Sequence, residues 1–166
     1  MEKTAQSFDL TALLRPNIRA LQPYSSARDE FTGQAEIYLD ANENPFNSPL
    51  NRYPDPGQHA LKEVIGAMKD QPVENLFLGN GSDEGIDLLI RVLCSPGEDN
   101  VVVVDPTYGM YGVCADIHDV ERKQVLLRSD FSLDADTVLE AVDQHTKIIF
   151  LCSPNNPTSN SFEQAV

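Results

Sequence analysis

At 166 residues, 41% of them hydrophobic and 23% charged, the chain is long enough to bury a core and has the make-up of a folded globular domain rather than a disordered tail. Twelve basic residues against 26 acidic ones leave a net charge of -14, which opposes nonspecific binding to nucleic acid or anionic membranes; an anionic ligand would need local donors. No stretch is apolar for long enough to span a bilayer, and residues 1–6 lack a basic-then-apolar signal pattern, so the expected location is cytoplasmic.

Residues 1–36 are polar and mixed and read as an amino-terminal arm, with one short helix around residues 10–14 that ends before Pro16. On chemistry alone Tyr24, behind Pro23, is a surface packing residue. Ile37, Tyr38 and Leu39 make a short strand-like run. The amide- and carboxylate-rich residues 40–46 then predict a self-hydrogen-bonded loop, which is the plain reading of Asn42 and Asn44. Residues 51–57 form a second proline-stiffened loop carrying Tyr53. From His59 to Lys69, Leu61, Val64, Ile65 and Met68 predict one apolar helix face.

From residue 74 the pattern alternates. Leu76, Phe77 and Leu78 predict a strand; glycines at 79, 81 and 85 follow, and Ile86, Leu89, Ile90 and Leu93 then recur at helical spacing from Ser82 to about Cys94. A glycine turn opening a helix suits a phosphate, because the first amides lack intrahelical acceptors and the dipole is positive there. Ser82 followed by Asp83 and Glu84 is equally the pattern of ordinary capping, with Ser82 as the cap. Val101 to Val104, without polar alternation, predict a strand buried on both faces. A loop at 105–111, a helix through Asp116, a strand at 125–127, a helix at 134–142 and an apolar strand at 147–152 complete the pattern. Such alternation predicts an α/β fold, three-layer α/β/α with a mostly parallel sheet.

In such sheets ligands lie beyond the carboxyl ends of the strands. The loops at 79–84, 105–111 and 153–158 occupy that position, offering backbone amides, an aromatic ring and side-chain amides, a set suited to a planar phosphorylated cofactor. Cys94, Cys114 and Cys152 are widely spaced in apolar surroundings and read as buried reduced thiols. His59, His118 and His145 are scattered and read as structural, so no metal site is expected.

The motifs LDANENP (39–45), NRYPDP (51–56), GNGSDEGIDLLIR (79–91), DPTYGMY (105–111) and CSPNNPT (152–158) resemble, in order and spacing, those of the class I and II aminotransferases of fold type I, which use pyridoxal 5'-phosphate. The resemblance is closer still to the histidinol-phosphate aminotransferases and runs from about residue 22 to the end. It implies that residues 37–166 are the first half of the cofactor-binding large domain. The rest of that domain and the small domain would be absent.

It also implies roles. The backbone amides of Ser82 and Asp83 would hold the cofactor phosphate at the helix start, where Gly81 also belongs to the cofactor site; Tyr108 would stack on the pyridine, and Asn156 would donate to the phenolic oxygen. Tyr53 would reach the phosphate in a partner subunit of a homodimer, while Tyr24 and Asn42 would lie near substrate. The implied reaction transfers the amine of L-histidinol phosphate to 2-oxoglutarate. The catalytic lysine of the family, which binds the cofactor covalently, has no counterpart here: Lys3, Lys62, Lys69, Lys123 and Lys147 lie outside the matching motifs. By itself the chain is therefore expected to be inactive and, with its sheet cut, to expose apolar edges. Two alternatives stand beside this one: a noncatalytic dimerisation or regulatory fragment, and a related enzyme such as an aromatic aminotransferase or threonine-phosphate decarboxylase. Ser159 departs from the glycine that usually follows Pro-Thr in the family and is expected to strain the turn if a positive φ is needed there.

Overall fold

The computed structural model describes residues 9–25, 30, 31, 33, 35–46, 48 and 50–162, so the readings of residues 1–6 and of residues 26–28 beside Tyr24 fall outside the described residues. Regular elements are α1 (Pro16–Arg19), α2 (His59–Lys69), α3 (Gly81–Leu93), β1 (Asn100–Asp105), α4 (Met110–Ile117), β2 (Glu121–Leu126), α5 (Ala135–Glu140) and β3 (Thr146–Phe150), with 3-10 turns at Leu10–Leu13 and Val73–Asn75. The chain divides into two compact units. One joins the described residues up to Ala20 with those from Gly79 onward; the other is Leu21–Leu78.

The first unit holds a parallel three-stranded sheet in the order β2-β1-β3. Its central strand is the valine run, and alternate side chains enter separate layers. Val101 and Val103 pack with Ile86 and Ile90 of α3, Cys94 just after it, Cys114 and Ala115 of α4, Val120 and Phe150. Val102 and Val104 pack on the opposite face with Val125 and with Val138 of α5. Val101, Val102 and Val104 are fully buried and Val103 nearly so, which explains why this strand reads as an unbroken apolar run. Each such side chain withdrawn from water contributes about 1.5–3 kcal/mol. The three-layer α/β/α arrangement is thus observed.

The flanking strands differ from expectation in extent. β2 starts at Glu121, four residues before the predicted run, which missed its first residues because they are polar; of the strand only Val125 is buried, with Lys123 half-buried. β3 ends at Phe150, and Ile149 is 38% exposed. Leu126 is also exposed, so apolar side chains do lie on the sheet's outer strands. The helix expected at 134–142 is shorter, Ala135–Glu140.

At the amino ends of the strands a polar network sets the register. Buried Asn100 donates from its backbone to His145 O (3.0 Å) and from Nδ2 to Asp143 Oδ1 (3.0 Å), and accepts at Oδ1 from Thr146 Oγ1 (2.7 Å). The pairing with β3 shifts there, since Asn100 faces Thr146 but Val101 faces Ile148. Lys123 Nζ donates to Asp143 Oδ2 at 2.6 Å. That bond foremost, with those from Asn100 and the His145 amide, holds the Asp143 carboxyl well below the usual carboxylate range. A depressed folded value means that the stabilisation is present above the unfolded pKa, near 4, and is lost as pH falls through the folded one. The stability deficit of Asp143→Asn, read by urea unfolding, is therefore expected to be full at pH 7 and to shrink below about pH 4. A deficit constant from pH 7 to pH 2 would contradict this.

At the amino terminus Asp9 caps the turn Leu10–Leu13 by accepting from the Thr11 amide (2.9 Å) and hydroxyl (2.7 Å). The predicted helix is thus a 3-10 turn. Pro16 does not end helical structure but starts α1, at a first position where a missing N–H is harmless. The Arg15 amide and guanidinium donate to Val92 O (3.1 Å) and Arg91 O (2.8 Å), placing a cation at the carboxyl end of α3. Cys94 and Cys114 are buried as expected, and burial pushes their thiols up, Cys94 to about 11. Cys152 is only half-buried, a correction to the expectation for all of them, although every one is free.

In the second unit α2 has its predicted bounds, but Leu61, Val64 and Met68 on its apolar face are exposed. Asp55 opens the helix by accepting from the Gly57 and His59 amides and from His59 Nδ1, each at 2.8 Å, which lowers its carboxyl to about 2. The strands expected at 37–39 and 76–78 are not formed: neither segment has a ladder partner among the described residues, and Ile37, Leu39 and Phe77 are 76%, 92% and 60% exposed. A strand exists only where a neighbour accepts and donates its backbone bonds, which local composition does not supply.

Candidate functional site

The loop after β1 and the loop after β3 lie at the carboxyl ends of adjacent parallel strands, and the start of α3 is tied to the first of them by Tyr108. Helix α3 begins at Gly81 with Asn80 as its cap residue. Gly81 has φ +78, a left-handed value that favours glycine, and its N–H donates to Gly79 O at 3.0 Å. A Cβ there would meet nothing within 4 Å, so the helix start is open to its surroundings. Ser82 is not the cap, contrary to expectation; it lies one turn position inside, and no side chain caps this terminus. The Ser82 and Asp83 amides therefore keep the unpaired character of first-turn donors. The Glu84 carboxylate turns back to accept from the Asn80 amide at 2.5 Å.

Tyr108 is half-buried and held on two sides. Its hydroxyl donates to Asp83 Oδ1 at 2.9 Å, and this bond above all raises its pKa. Its ring meets Tyr111 edge-on, with centroids 5.7 Å apart and planes at 84°. Tyr111 in turn stacks on Phe150 (4.6 Å, 14°), and burial, followed by a hydrogen bond to Cys152, pushes its hydroxyl up to about 12. An aromatic ledge therefore runs from the end of β3 to the start of α3, held by edge and stacking contacts.

The third component is the loop after β3. Asn156 is exposed, and its side chain makes no hydrogen bond among the described residues. Its neighbour Asn155 is buried, and its side chain bonds Thr107, Pro106 and Thr158. Ser159 has φ +64 and its amide donates to Asn155 O at 2.7 Å, so the turn does require the conformation in which serine replaces glycine at a cost.

Of the residues predicted from sequence, Gly81, Ser82, Asp83, Tyr108 and Asn156 belong to the first unit. Tyr24, Asn42 and Tyr53 belong to the second. There the Tyr53 hydroxyl donates to Asn42 O (3.3 Å) and its amide to Glu43 Oε1 (2.9 Å), Asn44 Oδ1 accepts from the Phe46 amide, and Tyr24 is 91% exposed. The self-bonded loop is thus observed. Sequence reasoning missed the Asp83 carboxylate as acceptor for Tyr108, the Tyr111–Phe150 stack and the buried Asn155. Only the last had a signal, the paired asparagines between prolines.

The donor set fits pyridoxal phosphate on the geometry: uncapped amides at an open helix start, a restrained aromatic ring beside them, and an exposed carboxamide free to donate.

Residues 32–165 match the family described as aminotransferase class I and II. The chain is 60% identical over 152 residues to a histidinol-phosphate aminotransferase of Bacteroides fragilis, covering 91% of this chain and 44% of that protein. It is 54% identical over 159 residues to a protein of the same name from Flavobacterium johnsoniae, covering 94% of this chain and 46% of the relative. The chain therefore spans a little under half the length of these curated relatives.

Among solved structures, N-succinyldiaminopimelate aminotransferase from Mycobacterium tuberculosis superposes with a TM-score of 0.61 at 29% identity, over 69% of this chain and 33% of that one. Histidinol-phosphate aminotransferase from Sinorhizobium meliloti, solved in complex with pyridoxal-5'-phosphate, gives 0.57 at 24% identity, over 64% and 29%, a likeness of fold. With its valine-cored parallel sheet, its motifs and this match over most of its length, the chain belongs to the aminotransferase class I and II family.

Proposed function

We propose that the chain is the amino-terminal part of a cytoplasmic, homodimeric, pyridoxal-phosphate-dependent histidinol-phosphate aminotransferase. Its residues 37–166 would form the first half of the large domain, behind an arm at 1–36. The observation that carries the reading is the convergence, within one unit, of the uncapped α3 start, the Tyr108 ring pinned to Asp83 and the exposed Asn156 amide.

In this reading the Ser82 and Asp83 amides bind the cofactor phosphate, and Gly81 provides the turn that aims them. Tyr108 covers one face of the pyridine. Asn156 donates to the phenolic oxygen and so helps fix its protonation state. Tyr53 serves the phosphate of the partner subunit, while Tyr24 and Asn42 lie near substrate. When bound, the cofactor supplies the electron sink that makes the carbon bearing the amine acidic. The overall reaction moves the amine of L-histidinol phosphate to 2-oxoglutarate, giving imidazole-acetol phosphate and L-glutamate. The 50–60% identity to proteins named for this activity supports that substrate over those of the related enzymes.

The described lysines of the first unit do not serve the site. Lys123 is bonded to Asp143 and to Ala141 O, and Lys147 lies 3.7 Å from Asp99, both near the amino ends of the strands rather than the carboxyl ends. A polypeptide of these 166 residues is therefore expected to bind pyridoxal phosphate reversibly, in competition with inorganic phosphate, and to show no turnover of L-histidinol phosphate with 2-oxoglutarate. A spectroscopic titration paired with a glutamate-formation assay checks both. Sustained turnover would overturn the account of the missing lysine, and lack of binding would overturn the cofactor reading.

A further inference from the structure

We infer that Asn155 is a positioning residue which holds the ring-binding and amide-bearing halves of the cradle in one geometry; the inference rests on the pyridoxal phosphate reading above. Asn155 is 3% exposed. Its Oδ1 accepts from Thr107 Oγ1 at 2.7 Å, and its Nδ2 donates to Pro106 O at 2.9 Å and to Thr158 Oγ1 at 2.7 Å. Its amide donates to Asn160 O at 2.8 Å, and its carbonyl accepts from the Ser159 amide at 2.7 Å. Thr158 closes the set by donating to Asn160 Oδ1.

Two segments are thereby clasped by one buried side chain. Pro106 and Thr107 immediately precede Tyr108, the ring that would cover the pyridine. Residues 158–160 close the turn that carries Asn156, the amide that would meet the phenolic oxygen. A buried carboxamide with both ends satisfied fixes direction as well as distance, since each bond constrains a different atom. None of its bonds reaches α3, where the phosphate would sit. Loss of the clasp should therefore separate the two ends of the ligand: recognition of the ring should suffer while recognition of phosphate survives.

The test uses the whole 166-residue chain and two probes, pyridoxine 5'-phosphate, which lacks the aldehyde and so reports noncovalent binding, and inorganic phosphate. Calorimetric titration of Asn155→Ala is expected to show affinity for pyridoxine 5'-phosphate reduced about tenfold, with that for inorganic phosphate within about twofold of the wild type. The double variant Thr107→Val/Thr158→Val keeps Asn155 and its bond to Pro106; it is expected to show a loss of about threefold for the first probe only. This variant carries the measurement if Asn155→Ala fails to fold by circular dichroism. Equal losses for both probes, or unchanged affinity for pyridoxine 5'-phosphate in folded variants, overturn the positioning role. A wild-type chain that binds pyridoxine 5'-phosphate no better than inorganic phosphate overturns the cofactor reading itself, an outcome visible before any variant is made.

Discussion

Replacing Ile90 with alanine is expected to lower the unfolding free energy by about 3 kcal/mol, because the removed methyl and methylene groups leave a cavity that rigid neighbours fill only in part. Ile90 is fully buried, in the cluster formed with Val101, Val103, Cys114 and Phe150, and it fastens the middle of α3 to the face of β1. Against a total stability of about 5–15 kcal/mol for a typical domain, such a loss is large. Leu89, adjacent on the same helix, is 47% exposed, and Leu89→Ala is expected to cost about 1 kcal/mol or less. Urea unfolding of both variants checks the contrast; similar deficits would mean that α3 does not pack as described. The helix is also the platform for the Ser82 and Asp83 amides, so Ile90→Ala should weaken phosphate binding only through the folded fraction.

Tyr108→Ala is expected to weaken pyridoxine 5'-phosphate binding about tenfold, the equivalent of about 1.4 kcal/mol and within the range of aromatic pairing. Tyr108→Phe separates the ring from its tether. It keeps the stacking surface and the edge contact with Tyr111 but removes the hydroxyl that donates to Asp83, so a loss of about two- to threefold is expected. Because the Asp83 bond raises the phenol's pKa, the hydroxyl stays protonated through neutral and mildly alkaline pH, and the contrast between the variants should be the same at pH 7 and pH 9. Direct titration checks both. Equal effects of alanine and phenylalanine would show that the hydroxyl, and not the ring, carries Tyr108's contribution.

The legibility of the fold follows burial closely. β1 was readable because a strand covered on both faces has no polar alternation to confuse it, and α3 because Ile86 and Ile90 both face the core. β2 was read only at its buried end. Its polar residues, Glu121 to Gln124, carry no apolar signal, and their strand conformation comes from pairing with β1. Leu76, Phe77 and Leu78 err in the other direction, strand-like in composition but without a ladder partner.

The site divides in the same way. The glycine turn, the tyrosine of the 105–111 loop and the asparagine pair were visible as residue types suited to phosphate, ring and phenolic oxygen, and the strand–helix alternation placed their loops at strand ends. What the chain determined by itself was therefore the chemistry available and its topological address, since both depend on local pattern. Only the tertiary structure decided which groups are free to use it. Asp83 turns out to hold Tyr108, and of two adjacent asparagines Asn155 is buried in a clasp while Asn156 is exposed. Neighbouring residues of the same type are equivalent to any local rule; burial and partners contributed by distant segments make them different.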